Sequence, residues 1–303
     1  MMNGILPLWK PRGMTSHDCV FKLRKLLRTK KVGHTGTLDP EVSGVLPICI
    51  GRATKIAEYI TASGKTYEGE VTLGCTTTTE DAWGDPVVQQ RVDRTISRAE
   101  VEKVLKSLTG DIIQTPPMYS AIKVNGKRLY EYARQGIEIE RPSRTVQIHS
   151  LQLLEDWDVL DRDHPSFSFE VACGKGTYVR TLAVEIGSRL GYPAHMSALT
   201  RTQSASFRKE DCFTLEDVKN FVENENPQGL LLPIEMGLSH LPKMVISDTL
   251  AEKVKNGARL DEPQDWPEDR EVVMEHEGRV IAIYRRHPDK PGVIKPVKVL
   301  FND

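Results

Sequence analysis

The stretch VGHTGTLDPEVSGVLPICI, residues 32–50, decides how the rest of the chain is read. Glycines at 33, 36 and 44 permit tight turns and close approach by a ligand. Pro40 pushes Asp39 out of the helical region, so its carboxylate is held on a stiff loop. The apolar run at 45–50 then reads as a buried strand fed by that loop. Taken alone, an Asp-Pro pair between glycines is ordinary turn chemistry.

Before this stretch, residues 4–9 read as a short strand, and Thr15 with Asp18 has capping-box spacing for a helix over 16–29. Val20, Leu23 and Leu27 form its apolar stripe; Lys22, Arg24, Lys25, Arg28, Lys30 and Lys31 fall outside it, a set of cations facing outward. After it, alternation in 65–75 puts Tyr67, Gly69, Val71 and Leu73 on one side of a strand. Ser97 and Glu100 cap a helix with Val101, Val104, Leu105 and Leu108 on its stripe. Residues 112–145 form a polar insertion with an Asn125-Gly126 turn and six Lys/Arg against three Glu, read as a protruding hairpin and short helix. Strands are expected near 145–154 and 166–173.

The run GKGTYVRTLAVEIGSRLG then opens a helix with Val179, Leu182, Ala183, Ile186 and Leu190 on its apolar face. Arg180 lies off that stripe in the first turn, where the helix dipole disfavours a cation; a residue that breaks a local rule suggests another use. Residues 221–243 are acidic, Asn-rich and Pro-containing and read as a connection between domains. Residues 240–303, with a helix capped at Ser247 and strands at 271–275, 279–285 and 296–301, read as a small, mostly β module.

The chain's 303 residues suit two domains of roughly 150 residues or one large core with an appendage. With 27% charged residues and no stretch of about 18 apolar residues, no bilayer helix is expected. The opening MMNGILPLWKPRG lacks a secretory pattern, so the cytoplasm is expected. Five scattered cysteines without a C-x-x-C pair indicate neither a disulfide framework nor a zinc knuckle. Metal, dinucleotide and P-loop signatures are missing as well. Net charge is −1, but it is polarised: residues 1–55 carry ten Lys/Arg against three Asp/Glu, and residues 209–240 two against seven. A local basic face of this kind attracts phosphates whatever the total charge.

The ensemble changes the odds for Asp39. G-H-T-G-x-L-D-P-x-x-x-G-V-L, then K-x-Y-x-G-x-V-x-L-G, the stretch TPPMYSAIKVNGKRLYEYARQG at 115–136, K-G-T-Y-V-R and Ala194-His195 follow in this order. Together they resemble the TruB family of tRNA pseudouridine-55 synthases over most of residues 4–207. The resemblance implies an α/β (α+β) fold: a catalytic domain over 1–239 around a mainly antiparallel mixed sheet, with a thumb at 112–145. It also implies a small β-rich PUA-like domain over 240–303. Its eleven Lys/Arg against twelve Asp/Glu from residue 239 onward give that module no strong electrostatic pull.

The activity implied is isomerisation of the T-loop uridine at position 55 of tRNA to its C-glycoside, with base flipping and without cofactor or metal. The family's nucleophile falls on Asp39, its active-site tyrosine on Tyr67 and its arginine on Arg180. Tyr67 would stack on the extruded uracil near C5, although a lone Tyr on a strand is more often a core aromatic. Arg180 would pair with Asp39 and keep it ionised. Asp81 would orient the arginine, Leu199 line the uracil pocket, and His34 fill the space vacated in the RNA stack. Lys123, Lys127 and Arg128 would meet phosphates, with Tyr119 or Tyr130 available for stacking. The expected partner is tRNA, through the T-arm and elbow and, by the C-terminal module, the acceptor stem; a monomer suffices. The sequence does not choose among attack on the uracil ring, attack on C1′ and removal of a sugar proton. Two other classes are weighed: a noncatalytic RNA-binding or tRNA-folding protein on the same scaffold, and a nucleoside or glycoside hydrolase using paired carboxylates.

Overall fold

A computed structural model describes residues 2–160, 165–224, 227–267 and 270–301. The chain divides into two compact units, Met1–Ala62 with Ser204–Asp303, and Ser63–Gln203.

In the first unit the strand Gly4–Lys10 runs antiparallel to Ser43–Ile50, in register from Gly4 opposite Ile50 to Lys10 opposite Gly44. Val32–His34 pairs with the other edge of Ser43–Ile50. Both long strands are buried on both faces, which explains their near-continuous apolar sequence. The helix Ser16–Leu26 begins with the Thr15–Asp18 capping box and packs Cys19, Val20 and Leu23 inward. It stops short of the expected residue 29, because Leu27 is its C-cap and Arg28 turns to a φ of 48°.

The region read as a connection between domains carries regular structure of its own. Leu215–Asn224 is helical, and short 3-10 turns at Pro227–Leu230 and Ile234–Leu238 bury Leu230, Ile234 and Leu238. Leu232 exchanges backbone bonds with Ile5 at 2.9 and 2.8 Å. Its apolar half, LLLPIEMGL, outweighs the acidic half that dominated the composition.

A five-stranded sheet follows, ordered Lys243–Val245, Val272–His276, Arg279–Arg286, Val293–Val299, Leu260–Asp261. Its first pair is parallel and the others are antiparallel. The helix Asp248–Lys255 covers one side with Ala251 and Val254, beside the buried Trp266 and Tyr284. Ser247 starts this helix through its carbonyl, which accepts from the Ala251 N–H, rather than through its hydroxyl. The other side shares a core with the N-terminal strands and the helical turns that follow them, Gly51–Ile56 and Ala57–Ala62: Val273, Val280, Ile283 and Leu300 pack with Ile5, Val45, Cys49, Ile56 and Ile60.

In the second unit the strands are ordered Ala194–Ser204, Lys65–Leu73, Ser166–Cys173, Arg144–Leu153, Gly110–Gln114, a large and mostly antiparallel sheet. Two helices pack with it. Arg98–Ser107 carries the Ser97–Glu100 capping box and buries Val101 and Leu105, while Val104 is only half-buried. Val179–Leu190 buries Val179, Leu182, Ala183, Ile186 and Leu190 and ends at Gly191 in the left-handed region. Gly187 lets this helix approach Ala194, whose Cβ would lie 2.2 Å from any Cβ added there.

The insertion is shorter than expected, because Gly110–Gln114 and Arg144–Leu153 pair with each other inside the sheet. What projects is residues 115–143, closed at its root by the Thr115 and Ser143 hydroxyls 2.7 Å apart. Lys123–Val124 and Lys127–Arg128 form its hairpin around Asn125 and Gly126, both at positive φ as a two-residue turn requires, before the helix Leu129–Arg134. Among the described residues no helix is long and apolar enough to cross a membrane.

Candidate active site

Asp39 and His34 lie in the first unit; Tyr67, Asp81, Arg180, Leu199 and the insertion lie in the second. The Asp39 loop is fastened on both sides of the carboxylate. Leu38 donates its N–H to Ser16 Oγ at 2.9 Å, and Ser16 Oγ lies 3.3 Å from the Leu38 carbonyl. The Pro40 carbonyl accepts from Lys10 Nζ at 3.1 Å and from the Gly13 N–H at 3.0 Å. Thr35 is tied to the Pro47 carbonyl through its N–H and its hydroxyl. Asp39 itself is half-buried, and His34 ends the preceding strand with its Nδ1 accepting weakly from the Gly36 N–H at 3.4 Å.

Lys10 and Ser16, both buried, brace the Asp39 loop although no motif names them. Lys10 left a signal: a lysine closing an otherwise apolar strand that is buried on both faces needs a purpose.

In the second unit, Arg180 is 5% exposed, so a place off the apolar stripe does not make it a surface residue. Its Nη1 donates to the Thr79 carbonyl at 2.8 Å and its Nη2 to the Tyr119 carbonyl at 2.9 Å. Asp81 Oδ2 stands 3.8 Å from Nη1, a buried ion pair without direct hydrogen-bond length. Asp81 is held in turn by the Thr79 hydroxyl at 2.5 Å and the Trp83 N–H at 3.1 Å. The guanidinium is therefore fixed by two main-chain carbonyls and a carboxylate, which outweigh its poor position on the helix dipole.

Tyr67 is 8% exposed and shares its strand face with Lys65, Gly69, Val71 and Leu73. Gly69 makes room for Leu199: a Cβ there would come within 3.2 Å of Leu199 and 2.7 Å of Phe169. Next to Tyr67 on the same face, Lys65 faces Cys173 directly across the sheet. Burial first, and then the fully buried Arg201, push the Lys65 ammonium down to about 8. The folded state thus binds fewer protons than the unfolded chain between about pH 8 and 10.5. The contribution of Lys65 to stability should rise with pH across that window, read as a difference between wild type and Lys65→Met that changes with pH; thermal melts of both proteins from pH 7.5 to 10.5 check this, and parallel curves would contradict it.

Lys123, Lys127 and Arg128 are all exposed on the hairpin. Tyr130 lies between two guanidinium groups, 5.8 Å from Arg128 and 5.3 Å from Arg134, so its ring is already engaged by cations. Tyr119 is half-buried and holds Arg180 through its backbone.

The five cysteines are free. Burial raises the Cys19, Cys49 and Cys173 thiols, Cys49 to about 12, which keeps them protonated at neutral pH. Among the described residues no group of three or more His, Cys, Asp or Glu is placed to hold a metal ion.

A solved Cbf5-Nop10-Gar1 complex contains a chain that superposes with a TM-score of 0.76 at 29% identity, over 99% of this chain and 85% of that one. A second, an H/ACA RNP bound to a substrate RNA containing 2'-deoxyuridine, gives a TM-score of 0.74 at 26% identity, over 98% and 85%. The model for the N-terminal domain of TruB family pseudouridylate synthases matches residues 24–179, a stretch that holds the fastened Asp39 loop and most strands of the second unit, so the fold is that of a pseudouridylate synthase. The tRNA pseudouridylate synthase B C-terminal domain model matches residues 180–239. A tRNA pseudouridine synthase B of Geobacillus thermodenitrificans is 61% identical over 98% of this chain and 99% of its own length. The chain belongs to the TruB family.

Proposed function

We propose that this protein isomerises the T-loop uridine at position 55 of tRNA to pseudouridine, with Asp39 as nucleophile. The observation that carries the reading is the fastening of the Asp39 loop at Leu38 and Pro40, which presents a carboxylate at a fixed place. A carboxylate that forms and later releases a covalent adduct divides one hard bond exchange into easier steps. In the exchange the N1–C1′ bond breaks, a C5–C1′ bond forms, the C5 proton is lost and N1 gains one. The base must first leave the RNA stack at a cost of about a few kcal/mol.

In this reading Tyr67 stacks on the extruded uracil, Leu199 bounds its pocket, Arg180 holds the nucleophile ionised, and Asp81 orients Arg180. His34 fills the gap left in the stack. The catalytic domain spans 1–239, and 240–303 is a PUA-like module that contacts the acceptor stem; its own five-stranded sheet supports that division. The protein acts as a monomer in the cytoplasm, a reducing compartment that suits five free thiols.

The direct test is position-resolved mapping of pseudouridine in a transcript tRNA, together with tritium release from C5 of a labelled T-arm RNA. Hydrolysis would free a base, whereas isomerisation leaves the RNA mass unchanged. For the insertion, replacing Lys123, Lys127 and Arg128 together by Ala should raise KM and leave kcat near its starting value. It should also flatten the dependence of log KM on log salt by about 0.7 to 0.9 for each phosphate no longer neutralised. An unchanged salt slope would take these three side chains off the RNA.

A further inference from the structure

Three successive residues, 79 to 81, grip the two residues 180 and 181 that open the helix Val179–Leu190. Thr79 and Asp81 hold Arg180, as described. Between them, Glu80 Oε2 accepts from the Thr181 hydroxyl at 2.6 Å. Glu80 does this from a backbone φ of 64°, in the left-handed region where a glutamate is strained and a glycine is not. Its main chain is committed as well: the N–H donates to the Thr77 carbonyl at 3.2 Å, and the carbonyl accepts from the Met196 N–H at 3.0 Å. A turn that needed only this conformation would be served better by glycine.

We propose that Glu80 is a positioning residue for Arg180: its carboxylate locks Thr181, fixes the first helical turn, and so sets where the neighbouring guanidinium stands. The inference rests on the proposed role of Arg180 in the tRNA reaction. The charged groups facing Glu80 are Arg180 on the helix, Arg141 on the insertion and Asp81 on its own turn. Burial raises the Glu80 carboxyl, against the Thr181 bond and the two guanidinium groups, so it takes up a proton at milder acidity than an ordinary glutamate. Protonation removes one of two negative charges near Arg180, and the arginine is then held less firmly.

The experiment compares the full-length wild type with Glu80→Gly and Glu80→Gln, measuring kcat and KM for tritium release from T-arm RNA at pH 8 and thermal midpoints in the same buffer. Glu80→Gly, relieved of the backbone strain, should lose about ten-fold in kcat with KM within about two-fold. Glu80→Gln, nearly isosteric, should lose about three-fold or more in kcat at pH 8, again with KM within about two-fold. Should Glu80→Gly fail to fold, the Gln protein decides alone. A Gly protein with wild-type kcat, or a Gln protein with wild-type kcat at pH 8, would overturn the proposal. If the wild type itself releases no tritium, the reading of Arg180 fails first; if it does and the variants match it, only Glu80 loses its role.

Discussion

Asp39→Asn is expected to stay folded and to lose at least about 10³-fold in tritium release from the T-loop uridine. Asn matches Asp in shape, and the bonds that fasten the loop run through the main chain of Leu38 and Pro40 to Ser16, Lys10 and Gly13. The protein should therefore stay folded, and thermal melts run beside the assay separate any loss of stability from the loss of activity. What disappears is the negative oxygen that attacks or accepts a proton, and the amide cannot replace it. RNA affinity should persist, because the phosphate backbone dominates binding. A variant that binds T-arm RNA normally and still converts it at more than about a tenth of the wild-type rate would remove Asp39 from the chemistry, on whichever chemical route.

Arg180 gives the second large effect, and here stability and activity separate. Arg180→Met leaves Asp81, 8% exposed, without its guanidinium, a loss of about 3–5 kcal/mol when a buried ion pair is broken from one side. Arg180→Lys keeps the charge, but one ammonium cannot reproduce the fork that reaches both the Thr79 and Tyr119 carbonyls. A carbonyl left without its donor costs about 1–3 kcal/mol. Denaturant titration should thus rank wild type above Lys and Lys above Met. In tritium release the Lys protein should fall by about 10²-fold even where it is fully folded, because a misplaced cation loses orientation. Equal stability of all three proteins would mean that the buried clasp is not holding the guanidinium.

The parts of the site that could be read in the sequence are those whose constraint is local. Pro40 and its glycines announce a stiff bend around Asp39, and the alternation through Tyr67, Gly69, Val71 and Leu73 announces their common face. The Thr15–Asp18 and Ser97–Glu100 boxes fix helix starts within three residues. Arg180 was legible as an anomaly but its burial was not, since its carbonyl partners are 101 and 61 residues away in the chain and carbonyls have no sequence identity. The same holds for Lys10, which reaches Pro40 across 30 residues. The packing of 221–243 is not legible from its overall acidity, because tertiary burial follows its apolar half.

The C-terminal sheet is no detachable cassette. Val273, Val280, Ile283 and Leu300 form one wall of the compartment whose opposite wall is Ile5, Val45, Ile56 and Ile60. Lys55 Nζ reaches the Val299 carbonyl at 2.6 Å, and the Tyr59 hydroxyl bonds Glu271 at 2.5 Å across the same seam. Trimming the tail at 239 would uncover a greasy wall on the very strands that frame the Asp39 bend, so the tail's first service is to keep that scaffold shut against water.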